Sequence, residues 1–300
     1  MLRCVFLGYM WRIAEAMRRS PGCELVAVGI EPRRTRSPEV ERWCAESGVR
    51  MFVANGVRRN LEFEAMLGAG VDLLVVGAFG QILSREHLTH VRYGTINFHP
   101  SRLPAYRGGS PLEEQLLQGE TLGGITAHWV TEQVDKGPLI GVRDLPIGPD
   151  DDYSSLYERG HQVAGGLMEM LLRSHPSEWP RLDTDADSPV YAPKTASDGV
   201  IDWSDTAEHI DRLVRALGWR GWVRADRAGG TTLTIERSRV ERDNLANWIP
   251  GLVVEAGDHP LIGTREGLLR LVRFRTEGLL NAGEILLARV RVSEPVDEER

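Results

Sequence analysis

Lysine is almost missing from this 300-residue chain: Lys136 and Lys194 are the only two, so nearly all of its 36 basic side chains are arginines. That skew fits genomic base composition better than selection for bidentate anion binding. Cysteine is scarce too. Cys4, Cys23 and Cys44 are scattered, without a CxxC pair, which excludes a disulfide framework or a zinc knuckle and fits a reducing cytoplasm. Long apolar runs are absent. The longest, VDLLVVGAFG at 71–80, is about half of the ~20 residues a spanning helix needs. The opening MLRCVFLGYMWRIAEAM lacks the basic, apolar and cleavage regions of a secretory signal. A cytoplasmic protein without a membrane partner is expected. Positive charge is in deficit. The net charge is -7 at a pI near 5.7, and residues 201–300 carry 15 basic against 17 acidic side chains. Gripping phosphate backbones is therefore not the expected main task. With 42% hydrophobic and 26% charged residues, Gly 32 and Pro 16, the chain is neither disordered, collagen-like nor coiled coil.

What is present is a repeating alternation. Short apolar runs at 2–7, 25–30, 51–54 and 71–76 have the look of strands buried on both faces. Helix-like spacing fills intervals such as 10–19 and 38–47, the latter with Pro38 in its first turn. Further strands are expected at 95–98, 125–130 and 139–142, and helices at 111–118 and 153–173. The pattern predicts an α/β domain over 1–175 with a Rossmann-like, doubly wound, mostly parallel sheet. Residues 176–200, rich in Pro, Ser and Asp, read as a surface linker. Residues 201–300 read as a smaller, mostly β domain with one helix at 206–217 and β-type runs at 231–240, 251–257, 267–274 and 283–292. Residues 295–300 read as a polar tail. No dinucleotide fingerprint follows the first strand, where Gly8 stands alone in place of G-x-G-x-x-G.

The chemically informative stretches are TINFHPSRLPAYRGGSP, residues 95–111, and GITAHWVTEQVDKGPLI, residues 124–140. Period-two alternation puts Asn97 and His99 on one face of a strand, and Pro100 ends the ladder just beyond them. The carboxyl edge of a parallel sheet is where open α/β folds bind ligands. A histidine satisfied in the core remains the alternative. Asp135 falls in a VDKGP turn between two strands, and by itself it is also ordinary turn chemistry. Taken together, an amide, an imidazole and a carboxylate are a set that could converge on one carbonyl.

These stretches resemble the folate-dependent formyltransferases, a family that includes glycinamide ribonucleotide and methionyl-tRNA formyltransferases. NFHPSRLPAYRG is similar to the family's Asn-x-His signature, and HWVTEQVDKGPLI to the signature that contains its essential Asp. The resemblance implies that Asn97, His99 and Asp135 are catalytic and that His128 matches an accessory histidine. VVGAFGQILSREHL extends it, so that Phe79, Gly80, Gln81, Ile82 and Leu83 match a segment that holds the pterin in relatives. VYAPKTASDGVIDWSDTAEHIDRLVRAL and PGLVVEAGDHPLIGTREGLLRLVRF extend it through the C-terminal half. By that likeness the chain has a Rossmann-like catalytic domain, an OB-like C-terminal domain, 10-formyltetrahydrofolate as co-substrate and no metal requirement.

Two departures bear on the acceptor. Residues 29–51 are shorter than the loop region expected in tRNA-specific relatives, although Arg33, Arg34 and Arg36 lie there. The segment that usually reads Asn-Pro-Trp-Pro is ALGWRGWVRA here. With the acidic balance of the second half, these favour formylation of a small primary amine, such as an amino sugar nucleotide or a biosynthetic amine. Initiator methionyl-tRNA formylation and hydrolysis of the formyl donor are the alternatives. Trp203, Trp219, Trp222 and Trp248 are read as core or domain-interface residues.

Overall fold

The computed structural model describes residues 1–31, 38–183, 188–227, 229–241 and 248–287. Arg33, Arg34 and Arg36, the later part of the expected run at 283–292, and the tail at 295–300 lie outside the described residues.

The apolar runs become a seven-stranded sheet made of β1 (Leu2–Gly8), β2 (Cys23–Ile30), β3 (Met51–Val53), β4 (Leu73–Gly77), β5 (Thr95–His99), β7 (Leu122–Trp129) and β8 (Leu139–Pro146). β6 (Arg107–Gly108) lies apart and pairs with β9 (Val190–Tyr191). The sheet order is β3-β2-β1-β4-β5-β7-β8. The first five strands run parallel, whereas β5 and β7, and β7 and β8, pair antiparallel. One edge is therefore a hairpin, since the nine-residue link from β7 to β8 is too short for a crossover. Cys4 to Leu7 on β1 and Leu73 to Val75 on β4 are fully buried, as strands covered on both faces must be.

The helices are α1 (Trp11–Arg19), α2 (Pro38–Ser47), α3 (Leu61–Gly68), α4 (Arg85–Thr89), α5 (Pro111–Gln118), α6 (Tyr153–Leu171) and α7 (Ala207–Leu217). Asn60 caps α3 by accepting the Phe63 N–H at 2.9 Å, which satisfies one of the free donors at a helix start. Phe63, Met66 and Leu67 of α3 then pack with Val5, Leu74 and Phe52 in one cluster. No helix among the described residues is long and apolar enough to cross a membrane.

Buried on α6 lies His161, with no hydrogen-bond partner at Nε2 among the described residues. Burial, helped by the charge of Arg12, pulls its pKa down to about 4. The unfolded chain takes up that proton near pH ~6.5. A depressed folded pKa means that the stability is present above about pH 6.5 and is lost as the pH falls through about 4. His161→Gln is expected to flatten this acid limb when urea midpoints are compared at neutral and mildly acidic pH. An unchanged limb would remove His161 from the acid sensitivity.

The chain divides into two compact units: 1–111, 121–148 and 156–191 in one, and 112–120, 149–155 and 192–300 in the other. Residues 176–182 are not loose in the first unit. Trp179 is buried, Leu182 exchanges backbone hydrogen bonds with Leu139, and the Trp129 Nε1–H donates to the Pro180 carbonyl at 3.1 Å.

The second unit carries a five-stranded antiparallel sheet of β10 (Arg224–Asp226), β11 (Thr232–Glu241), β12 (Val253–Glu255), β13 (Leu261–Gly263) and β14 (Leu268–Arg275), in the order β10-β11-β14-β13-β12. Leu287 bridges to Asp226 on one edge strand, and Ile285 bridges to Leu252 beside the other. The two edges are thus drawn together toward a barrel, which removes exposed edges and matches the OB-like expectation. Trp203 is core, as read. Trp219 stacks on Tyr153 at 4.1 Å, and Arg220 lies over both Trp219 and Trp222.

Candidate functional site

β5 ends at the carboxyl edge of the sheet, and its register against β7 puts Asn97 opposite His128. The Asn97 Nδ2 lies 3.1 Å from His128 Nε2 and 3.4 Å from Asp135 Oδ1. His99 Nδ1 is 3.4 Å from Asp135 Oδ2, and His128 Nε2 is 3.4 Å from Asp135 Oδ1. One carboxylate therefore stands between two imidazoles. All four predicted side chains meet, and both histidines are buried.

Backbone carbonyls fix both rings. His99 Nε2 sits 2.7 Å from the Tyr106 carbonyl, and His128 Nδ1 sits 3.0 Å from the Trp129 carbonyl. A carbonyl only accepts, so these nitrogens carry hydrogens. In the neutral rings the opposite nitrogens, His99 Nδ1 and His128 Nε2, are then bare toward Asp135. The Asn97 amide can donate to His128 Nε2 with one hydrogen and to Asp135 with the other.

Burial pulls the pKa of His99 below the ordinary histidine value, against the upward pull of the Asp135 charge and the Tyr106 carbonyl. Burial pushes Asp135 up, but the His128 contact, the His99 charge and the Gly108 N–H outweigh it and hold the carboxyl at about 2. The cluster at neutral pH is an ionised carboxylate beside a neutral imidazole that can take up a proton.

Sequence reasoning placed Arg107 and Gly108 within the Asn-x-His signature stretch but gave neither them nor Tyr106 a role. The Gly108 N–H donates to Asp135 Oδ2 at 2.9 Å, and the Arg107 Nε–H donates to the Asp135 carbonyl at 3.1 Å. Tyr106 and Asp135 both have left-handed backbone, with φ of 58° and 50°. Composition carries no signal for such positions, although Gly108, at φ 92°, is the residue type they favour.

Residues 79–83 follow β4 at the same edge of the sheet. Phe79 and Leu83 pack against the core cluster, and Ile82 is exposed. The Gly80 N–H donates to Glu31 Oε2 at 2.8 Å. The Gln81 side chain accepts the Val57 N–H and donates to the Ala54 carbonyl, which ties the segment to the turn at 54–57. The backbone N–H groups of Phe79, Gln81, Ile82 and Leu83 have no hydrogen-bond partner among the described residues.

Residues 27–171 match the formyl transferase family profile, and residues 194–282 match the profile of the formyl transferase C-terminal domain. A methionyl-tRNA formyltransferase of Geobacter metallireducens is 32% identical over 269 residues, spanning 86% of this chain and 85% of the relative. The chain belongs to the folate-dependent formyltransferase family. A second relative of this formyltransferase, the methionyl-tRNA formyltransferase of Caldanaerobacter subterraneus, is 29% identical and spans 94% of each chain. Among solved structures, the N-formyltransferase of Helicobacter canadensis in complex with folinic acid and dTDP-3-aminofucose superposes with a TM-score of 0.69. Its identity is 15%, covering 92% of this formyltransferase and 100% of that chain. HypX of Aquifex aeolicus gives a TM-score of 0.63 at 17% identity and covers 96% of this formyltransferase, which spans only 46% of that longer chain.

Proposed function

We propose that this formyltransferase moves a formyl group from 10-formyltetrahydrofolate to the primary amine of a small molecule, with Asn97, His99 and Asp135 as catalytic residues and His128 as their accessory. The observation that carries this reading is the carboxylate held between two tautomer-fixed histidines beside a carboxamide at the sheet edge. The donor fits residues 79–83, where the Phe79, Gln81, Ile82 and Leu83 backbone N–H groups, unpaired among the described residues, suit the hydrogen-bonding edge of a pterin. When bound, the folate supplies a formyl group on nitrogen, whose oxygen gains negative charge as an amine attacks.

Asn97 donates an amide hydrogen at that oxygen by giving up its longer contact, the 3.4 Å one to Asp135, while the 3.1 Å contact to His128 holds the amide in orientation. His99 Nδ1, bare at neutral pH, takes the proton that the attacking amine sheds and returns it to the departing nitrogen. Asp135 stabilises the imidazolium in between.

The small acceptor is supported by how several arginines of the second unit are spent. Arg273 and Arg275 both pair with Glu236, Arg270 with Glu241 and Glu255, and Arg227 with Glu284. Arginines already neutralised by carboxylates release few counterions on meeting RNA. The second reading is methionyl-tRNA formylation, favoured by the names of the sequence relatives.

Tetrahydrofolate release from 10-formyltetrahydrofolate, followed with charged initiator tRNA, with amino sugar nucleotides and amino acids, and with no acceptor, tests the three readings. The small-amine reading predicts turnover with an amine and a KM that barely moves between low and moderate salt. A tRNA acceptor making six or more phosphate contacts would weaken by about 10³ or more between 50 and 200 mM salt. Release without acceptor would mark a hydrolase.

A further inference from the structure

We propose that Arg107 is a positioning residue for Asp135: its buried guanidinium and the adjacent Gly108 amide grip that residue at both ends and set its carboxylate between the two histidines. This rests on the proposed role of Asp135.

Arg107 is only 2% exposed and ranks among the largest fully buried side chains of the protein. Burying a guanidinium is costly unless its hydrogens are taken up. In a chain whose basic residues are nearly all arginine, most of these side chains can stay in water, so this one is held inside for a reason. Its Nε–H donates to the backbone carbonyl of Asp135 at 3.1 Å, while the N–H of the very next residue donates to the carboxylate of Asp135 at 2.9 Å. Asp135 needs such a grip. Its φ of 50° is a left-handed conformation that strains a non-glycine residue and persists only where the surroundings over-determine it.

The grip is itself anchored. β6 pairs with β9, and the Gly109 N–H donates to the Tyr191 carbonyl at 2.8 Å. Tyr106, one residue before Arg107, supplies the carbonyl that fixes His99. Three consecutive residues therefore set the His99 ring, the Asp135 backbone and the Asp135 carboxylate relative to one another. Lysine cannot replace Arg107 here, because its stem has a non-donating methylene at the Nε position and its ammonium lies farther out.

The test is the titration of His99, read from its ring signals by NMR and assigned with His99→Gln. The titratable groups that act on the ring are Asp135 from the turn after β7 and His128 from β7, and Arg107 on β6 follows Tyr106, whose carbonyl meets the ring. Asp135 raises the pKa of His99, so Asp135→Asn lowers the midpoint. If Arg107 acts through Asp135, Arg107→Met also lowers it, by at least half as much, and Arg107→Met with Asp135→Asn lowers it no further than Asp135→Asn alone. If Arg107 acted only as a nearby positive charge, its removal would raise the midpoint.

An unchanged or raised midpoint in Arg107→Met, or a double-variant shift equal to the sum of the single ones, overturns the proposal. Should Arg107→Met fail to fold, Arg107→Lys takes its place in the same cycle with the same expectation, since it keeps the charge and loses the Nε–H. None of these readings depends on formyl transfer. Normal donor turnover in Asp135→Asn would sink the catalytic role of Asp135 and leave the titration to judge Arg107.

Discussion

Asp135→Asn is expected to lower formyl transfer by a factor of about 10² to 10⁴, the range that a positioned acid or base contributes, while the fold survives. The substitution keeps the shape and removes the charge that, in the proposed mechanism, stabilises the His99 imidazolium. His99→Ala should fall in the same range because it removes the proton acceptor itself. Asn97→Ala should lose about 10² to 10³, the cost of one oxyanion donor. The sign of the pH dependence is fixed by the same geometry. His99 must be neutral to accept a proton, so the rate rises with pH as His99 deprotonates, and burial places that rise below the ordinary histidine range. In Asp135→Asn the residual rate should reach its plateau at still lower pH, because the group that raised the His99 pKa is gone. Tetrahydrofolate release measured across pH for the three variants, beside a thermal melt, checks both points. Near-normal turnover in any of them would remove that residue from the chemistry.

Much of the first unit was legible because buried parallel strands and amphipathic helices leave periodic signals. The runs at 2–7 and 25–30 became β1 and β2 almost residue for residue, and the alternation at 95–99 put Asn97 and His99 on one face. The antiparallel edge was less so, since apolar runs do not record strand direction. β8 also continues to Pro146, past the apolar stretch expected to end at 142, because its Arg143 and Asp144 pair in the ladder against β7 while their side chains stay exposed. Least legible was the frame around Asp135. The left-handed backbone of Tyr106 goes against residue preference, and the pairing of Val190–Tyr191 with Arg107–Gly108 is too short to leave any period. These conformations are imposed by tertiary contacts, which is where local propensity gives way.

Gly137 should be as sensitive as the residues proposed to be catalytic, for a reason of space. A Cβ built on it would lie 1.7 Å from the Trp129 carbonyl oxygen and 2.8 Å from its carbon. Both are backbone atoms at the end of β7, where the Trp129 N–H donates to the Pro138 carbonyl at 2.9 Å and closes the turn that carries Asp135. No rotamer relieves that overlap, so the turn itself must move. Overpacking of this kind costs about 1 to 3 kcal/mol or more, and a shift of about 1 Å at reacting groups can cost 10² in rate. Gly137→Ala is therefore expected to lose both stability and turnover. Gly166→Ala is the control. Gly166 is exposed on α6, with no described residue within 4 Å of the new methyl, so it should stabilise the chain by about 0.5 to 1 kcal/mol and leave turnover unchanged. Urea midpoints and donor turnover of the two variants separate the cases. A Gly137→Ala protein that folds and turns over as well as the unsubstituted one would mean that the closed turn does not hold Asp135 in place.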